Sequence, residues 1–364
     1  MMARNIVRKA WRFLTRLTLA ATLIAILLAV IALGSCFPQQ PDSLAADPQS
    51  MADWQAGVRA RYGSLADALA AIGLLRWYRS PLFWICLTLL AVTTLVCTLD
   101  RWGTIWQRAF RSQAGPSDLA FKTAPHSVRL AALQAAGASN VMQRYLEEHG
   151  FRVLSQTTGN ALYLRGDRNR MAALGTLVTH VAVLLLLGGV ILSSVSGWRQ
   201  ELVIEPYETA GLVYDNQIAL RNDGFAIMRY PDGSVAGYEA RVAVLEGDQE
   251  VARGSIELNR PLTYHGIGFF LRGYMEREAG YGLTLLAVRD PGYGLVIAAG
   301  LLLLSGLTIS FNFPRCWIQG RFESDGTLHL AGWAERRACD FGREFTTLAG
   351  ELSRLKEIRP EDAN

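Results

Sequence analysis

His180 is the residue of this chain best placed to do chemistry. It lies inside a run that otherwise reads as pure membrane span, Leu174-Gly-Thr-Leu-Val-Thr-His180-Val-Ala-Val, followed by Leu184 to Leu187 and Gly188-Gly189. An imidazole in hydrocarbon is costly and faces a partner, a cavity or a metal rather than lipid. Three kinds of chemistry fit. The first is an interhelical hydrogen bond to a Ser or Thr hydroxyl. The second is a proton relay, which needs carboxylate or His partners along the spans, whereas Asp100 and Asp290 only flank them. The third is ligation of haem iron by a neutral imidazole nitrogen. A six-coordinate haem takes two axial ligands. No other apolar run here offers a His and Met is scarce in them, so the second ligand would come from another polypeptide.

The remaining candidates are weaker. His126, His149, His265 and His329 all fall in polar segments, and His265 sits in a turn-like Tyr-His-Gly. Glu147, Glu148 and His149 adjoin, but neighbours in sequence do not share a helix face. Cys86 and Cys97 on one helix would stand about 16 Å apart, too far to bridge, and Cys36, Cys316 and Cys339 form no C-x-x-C. No phosphate-loop, nucleophile-elbow or H-E-x-x-H pattern occurs. Nor is there a paired half-repeat with broken helices, as transporters have. Binding, relay or assembly remain as function classes.

What must position His180 is a set of membrane spans. Hydrophobic residues make up 51% of the chain and charged residues 19%, and the apolar ones are clumped. Four runs approach or reach the roughly 20 residues that cross a bilayer: 17–33, 81–99, 174–195 and 293–311. Arg4, Arg8, Lys9, Arg12 and Arg16 precede the first. Residues 101–170 carry ten Arg or Lys against four carboxylates, and residues 201–289 are acidic in balance. The positive-inside bias therefore puts both termini and the middle loop in the cytoplasm. His180 then lies roughly 9 Å from the cytoplasmic end of its span. The net charge of +4 averages two unlike faces and gives no reason to invoke nucleic acid.

The expected fold class is an integral membrane protein with four transmembrane helices, an antiparallel β-rich periplasmic domain and a small α+β cytoplasmic subdomain. Residues 1–36 hold the cytoplasmic N-terminus and first span, and 37–80 a periplasmic helical segment. Spans at 81–99 and 173–196 enclose the cytoplasmic α+β loop, 100–172. The β-rich domain is 197–290, the fourth span 291–312 and the cytoplasmic tail 313–364. Within these, helices are expected at 51–62, 64–75 with Ser64 as N-cap, 140–150, and 341–358 in the tail. Strands are expected at 151–156 and 161–165 about a Thr-Gly-Asn turn, near 321–322 and 327–330, and in six alternating runs from 202 to 288. Those six suggest a sandwich or half-barrel. Asp290 is expected to cap the fourth span, with Trp77, Tyr78, Trp102, Trp106, Trp198 and Trp317 at span ends. Leu33-Gly-Ser-Cys36 resembles a lipoprotein cleavage box, which would make Cys36 a lipidated first residue. The apolar stretch before it exceeds the roughly 7–15 residues of a signal-peptide core, which favours a retained span.

Several blocks, in order, resemble the ResB-like (CcsB-type) cytochrome c biogenesis family. They are Gly34-Ser-Cys-Phe-Pro-Gln39, Leu74-Leu-Arg-Trp-Tyr-Arg-Ser-Pro81 with Cys97-Thr-Leu-Asp-Arg101, and Leu174 to His180 with Gly188-Gly189. Leu258-Asn-Arg-Pro-Leu-Thr-Tyr-His-Gly266 with Phe269 to Tyr274, then Asp290-Pro-Gly292 with Gly306 to Phe313, complete the set. The outer domain is short for that family, and Pro314-Arg-Cys-Trp317 stands where members commonly carry His-Arg. The resemblance implies a bacterial inner-membrane subunit that works with a tryptophan-rich partner of the CcsA/ResC type. Together they would move haem b, a transient substrate, from the cytoplasmic side and support its attachment to apocytochrome c. By position, His180 matches the family's intramembrane haem-ligand histidine. The alternative is a structural membrane scaffold or assembly factor without haem ligation.

Overall fold

The computed structural model describes residues 2–40, 48–111, 118–131, 135–335 and 340–355. Along the chain come helices α1 (Met2–Leu14), α2 (Leu17–Ser35), α3 (Pro48–Tyr62), α4 (Leu65–Ala71), α5 (Pro81–Phe110) and α6 (Asp118–Thr123). Then follow β1 (His126–Leu130), α7 (Ala135–Glu148), β2 (Arg152–Thr158), β3 (Ala161–Arg168) and α8 (Ala173–Ser196). Strands β4 (Trp198–Ile204), β5 (Thr209–Gly211), β6 (Ile218–Arg229), β7 (Val235–Glu246) and β8 (Gln249–Glu257) come next. The chain closes with β9 (Leu262–Tyr264), β10 (Ile267–Arg277), β11 (Gly280–Arg289), α9 (Tyr293–Asn312), β12 (Cys316–Phe322), β13 (Leu328–Ala334) and α10 (Phe341–Arg354). Helices α2, α5, α8 and α9 contain stretches long and apolar enough to cross a membrane. With the β-rich remainder they make a membrane protein. Its backbone falls into two compact units, Met1–Thr94 with Leu184–Ala299, and Leu95–Val183 with Gly300–Asn364.

In the first unit, the end of α2 is built to receive aromatic rings. Gly34 has no Cβ because one would stand 2.9 Å from both Trp77 and Tyr78. The Trp77 indole N–H donates to the Val30 carbonyl at 2.8 Å, and the Tyr78 hydroxyl donates to the Ile31 carbonyl at 3.2 Å. These two residues, expected as interfacial anchors, are fastened to a neighbouring helix. Gln39 completes the joint, donating to the carbonyls of Gly34 and Leu74 and accepting from the Trp77 backbone N–H. Helices α3 and α4 pack through Val58 and Ala66, joined by Leu75 just beyond α4. Ser64 stands at the N-cap position of α4, but its backbone is already helical and its side chain makes no capping bond.

The segment between α8 and α9 forms two four-stranded antiparallel sheets, β4-β11-β10-β9 and β5-β6-β7-β8. Alternation along each strand sends one apolar set inward. Leu202, Ile204, Leu283, Leu285 and Phe269 of one sheet meet Leu220, Val242, Val244 and Ile256 of the other in a shared core. Asn222 ties the sheets together: fully buried on β6, it donates to the carbonyl of Tyr281 at 2.8 Å and accepts from the Gly224 N–H at 3.0 Å. Asp290 does not cap α9 with its side chain; Oδ1 instead accepts the Ser193 hydroxyl at 2.5 Å.

In the second unit, five antiparallel strands run β1-β13-β12-β3-β2. Gly159, at φ 61°, makes the turn between β2 and β3, and Gly150, at φ 76°, ends α7. Sequence reading treats residues 121–170 and the tail as separate stretches. Here β3 pairs with β12 from Leu162↔Phe322 to Arg168↔Cys316, so the two stretches share one sheet. Helices α7 and α10 cover one face of it through Met142, Leu146, Phe345, Leu348 and Leu352. The tail helix is described to Arg354; residues 356–358 and Cys339 lie outside the described residues.

Candidate functional site

His180 is half-buried on α8, and its Nδ1 lies 3.1 Å from the hydroxyl oxygen of Thr98 on α5. The two helices run antiparallel in this contact. Going one way from the pair, Ala173 and Leu177 of α8 meet Ile105 of α5 in a small apolar cluster. Ala173, Leu177 and His180 recur at helical spacing and share one face. Thr98 is 4% exposed, so its hydroxyl is in a dry place where an unmade hydrogen bond is expensive. Among the described residues His180 Nε2 has no protein partner. The hydroxyl can accept from Nδ1–H or donate to Nδ1; in the first arrangement Nε2 carries an unprotonated lone pair.

One residue earlier, Thr179 points to another neighbour. Its side chain donates to the Gly175 carbonyl at 2.9 Å, and a Cβ on Gly306 of α9 would come within 2.6 Å of its hydroxyl oxygen. A Cβ on Gly175 would reach the Gly306 carbonyl at 3.0 Å. Glycines on both helices thus let α8 and α9 approach backbone to backbone, as small residues do in membrane helix pairs. The rotation of about 100° per residue then presents His180 to α5 while Thr179 faces α9.

The other histidines are engaged locally. His126 packs on the rings of Phe341 and Phe345, and His149 stacks on Tyr145 at 4.0 Å with Nδ1 at 2.8 Å from the Tyr145 carbonyl. His329 meets the edge of Phe121, and burial lowers its pKa, helped by the Arg321 charge. His265 and Gly266 form the two-residue turn between β9 and β10, with φ of 46° and 78°, the signature of a type I′ hairpin. Burial pushes the Cys316 thiol up, so it stays protonated. Among the described residues no three His, Cys, Asp or Glu side chains cluster to hold a metal ion. Sequence reasoning missed Thr98 as the partner of His180. Its signal was slight: a Thr in the Cys97-Thr-Leu-Asp-Arg101 block near the far end of another span.

Comparison with known proteins gives the family. The model of the ResB-like family matches residues 17–286. A cytochrome c biogenesis protein CcsB from Synechococcus sp. strain JA-2-3B'a(2-13) is 28% identical over 213 residues, covering 56% of this chain and 44% of the relative. The CcsB of Synechococcus sp. strain RCC307 is 24% identical, with 79% of this chain and 63% of the relative covered. The ResB of Bacillus subtilis strain 168 is 23% identical, with 76% and 55% covered. Each alignment thus takes in less than two thirds of the relative's length. Among solved structures, the cytochrome c haem lyase CcmF aligns with 70% of this chain and 44% of its own, at 13% identity and a TM-score of 0.31. With its model matched from the first span to the last strand of the sandwich, the chain belongs to the ResB-like family.

Proposed function

We propose that this chain is the haem-handling membrane subunit of a cytochrome c biogenesis complex. With a CcsA/ResC-type tryptophan-rich partner it takes haem b from the cytoplasmic side of a bacterial inner membrane and supports its export and attachment to apocytochrome c. His180 Nε2 gives one axial nitrogen to the iron of the passing haem, and the partner gives the other. One observation carries the reading: Nδ1 is held by Thr98 at 3.1 Å while Nε2 has no protein partner among the described residues. A metal-binding His has its second nitrogen held by a hydrogen bond, which orients the ring, and with Nδ1–H donating to Thr98 the Nε2 lone pair is left for the iron. The similarity to cytochrome c biogenesis proteins CcsB and ResB supports the process. The cationic 101–170 segment supports a cytoplasmic second unit, with the β sandwich on the periplasmic side.

The test is a His180→Ala chain co-purified with its partner. Haem content and the Soret band should fall, and added imidazole should restore them. Full haem content with an unchanged spectrum would remove the ligand role. The Thr98 bond also favours a second reading, a scaffold in which that bond alone satisfies the imidazole. It predicts that no haem co-purifies and that His180→Asn keeps function.

A further inference from the structure

A cavity of about 600 Å³ opens in the second unit, within the range of small-molecule sites. Its floor is the sheet face opposite the α7 and α10 core. Trp317 of β12 and Trp333 of β13 stand directly opposite each other there, both half-buried. The last two turns of α5 supply Thr104, Gln107 and Arg108 to its wall, and Arg111 follows directly after the helix. Arg165, Arg168, Arg170 and Arg315 complete a ring of six arginines around one carboxylate, Asp167.

Three of these cations are already paired: Arg165 with Asp167 at 2.9 Å, Arg168 with Glu344 at 2.9 Å, and Arg315 with Glu335 at 2.6 Å. They stiffen the cavity. Arg111 and Arg170 have no ion-pair partner among the described residues, so the cavity keeps an excess of positive charge. The guanidinium of Arg165 lies 4.8 Å from the centre of the Trp317 ring, which makes a flat cationic and aromatic surface. A bare phosphate or a lipid headgroup would use the cations and leave the paired indoles without a task. A ligand with an extended apolar ring and two carboxylates uses both.

The cavity is lined by α5, which carries Thr98, and by the turn that leads into α8, which carries His180. Thr104 follows Thr98 on α5 by six residues, about 9 Å of helix, and Arg170, in the 3₁₀ turn Arg170–Ala172 before α8, precedes His180 by ten residues. We propose that this cavity is a holding site for a porphyrin dicarboxylate, which the arginines grip by its carboxylates and the two tryptophans by its ring, ahead of its transfer to His180. The proposal rests on the haem reading above and adds a site to it.

The test uses metal-free protoporphyrin IX, which has no iron for His180 to ligate, on the full chain in detergent micelles. Its fluorescence anisotropy should rise saturably at fixed micelle concentration. Protoporphyrin dimethyl ester, with both carboxylates blocked, should bind at least about tenfold more weakly, and so should acid binding to Arg111→Gln/Arg170→Gln. The ester comparison needs no variant and is immune to misfolding. Equal binding of ester and acid, or of variant and wild type, would overturn the proposal. Displacement of the porphyrin by equimolar phosphatidylglycerol would do so too, by marking a lipid site. Protoporphyrin binding that survives a failed His180 test supports this site and removes only the axial-ligand role. Absent binding beside a passed His180 test removes only this site.

Discussion

Thr98→Val separates the two tasks of the Thr98–His180 contact. Valine keeps the shape of threonine in a place where Thr98 is 4% exposed, and removes the oxygen 3.1 Å from Nδ1. Hydrogen bonds between membrane helices are worth on average about 0.6 kcal/mol and at most about 1.7. The variant should therefore fold, with a small loss of thermal stability in detergent. Losing the group that orients a metal-binding imidazole costs roughly 10–100-fold in affinity, or about 1.4–2.7 kcal/mol. The ligand effect should exceed the folding effect, and that inequality is what the experiment reads. Haem is titrated into the co-purified wild-type and variant pairs and followed at the Soret band, with melting measured on the same samples. Thr98→Ser should recover most of the affinity. Haem affinity within twofold of wild type, with melting unchanged, would refute the claim that Thr98 presents Nε2.

Gly306→Val places a side chain within 2.6 Å of the Thr179 hydroxyl oxygen and 2.8 Å of its backbone nitrogen. A melting loss equivalent to about 1–3 kcal/mol is expected, while Gly300→Val, with nothing within 4 Å of its Cβ, should melt as wild type. Asn222→Leu removes the buried amide that donates to the Tyr281 carbonyl and should destabilise the sandwich by about 1–3 kcal/mol, read as faster amide exchange in β6 and β11. Bonds from Arg253 and Arg221 hold the Glu250 carboxyl down to about 2. Since its folded pKa is depressed, its stabilisation is present above the unfolded value near 4.3 and lost as pH falls through about 2. The melting difference between wild type and Glu250→Gln should close over that window; a difference constant with pH would contradict the assignment. In a chain otherwise free of cysteine, Ser234→Cys at the exposed β6–β7 turn should react with an impermeant maleimide on intact cells, and Ser324→Cys only after lysis.

Features that depend on nearby residues were legible in the sequence. The third span is written as an apolar run from 174 to 195, within one residue of either end of α8, because length and composition alone fix such a helix. The Gly159 turn and the Gly150 helix stop were readable for the same local reason. Helix α5 outran its expected end at 99, continuing to Phe110 as Trp102, Trp106 and Phe110 stack along one face. A hydropathy pattern reports where lipid contact ends, which need not be where the helix ends. The pairing of β3 with β12 was invisible, because alternation tells a strand which face to bury and nothing about which strand lies beside it. Thr98 was hidden for a similar reason. Eighty-two positions separate it from His180, and each span taken alone is an ordinary greasy helix.

A lone imidazole in a span can be left in one of three ways. With neither nitrogen bonded it is costly, and the helix would do better with leucine. With both nitrogens bonded inside the chain it is satisfied and has nothing to give. Here one nitrogen is bonded to Thr98, and the other has no protein partner among the described residues. The first bond lowers the cost of placing the ring among the spans, and it is compatible with the tautomer whose second nitrogen can donate a lone pair, the one in which Nδ1–H donates to the hydroxyl. The hydrogen bond and the ligand role, which the sequence sets against each other, are thus compatible at opposite edges of one ring. The distinction between scaffold and haem site comes down to Nε2 alone, and substitutions that keep the hydrogen bond while deleting that nitrogen are the ones that can tell them apart.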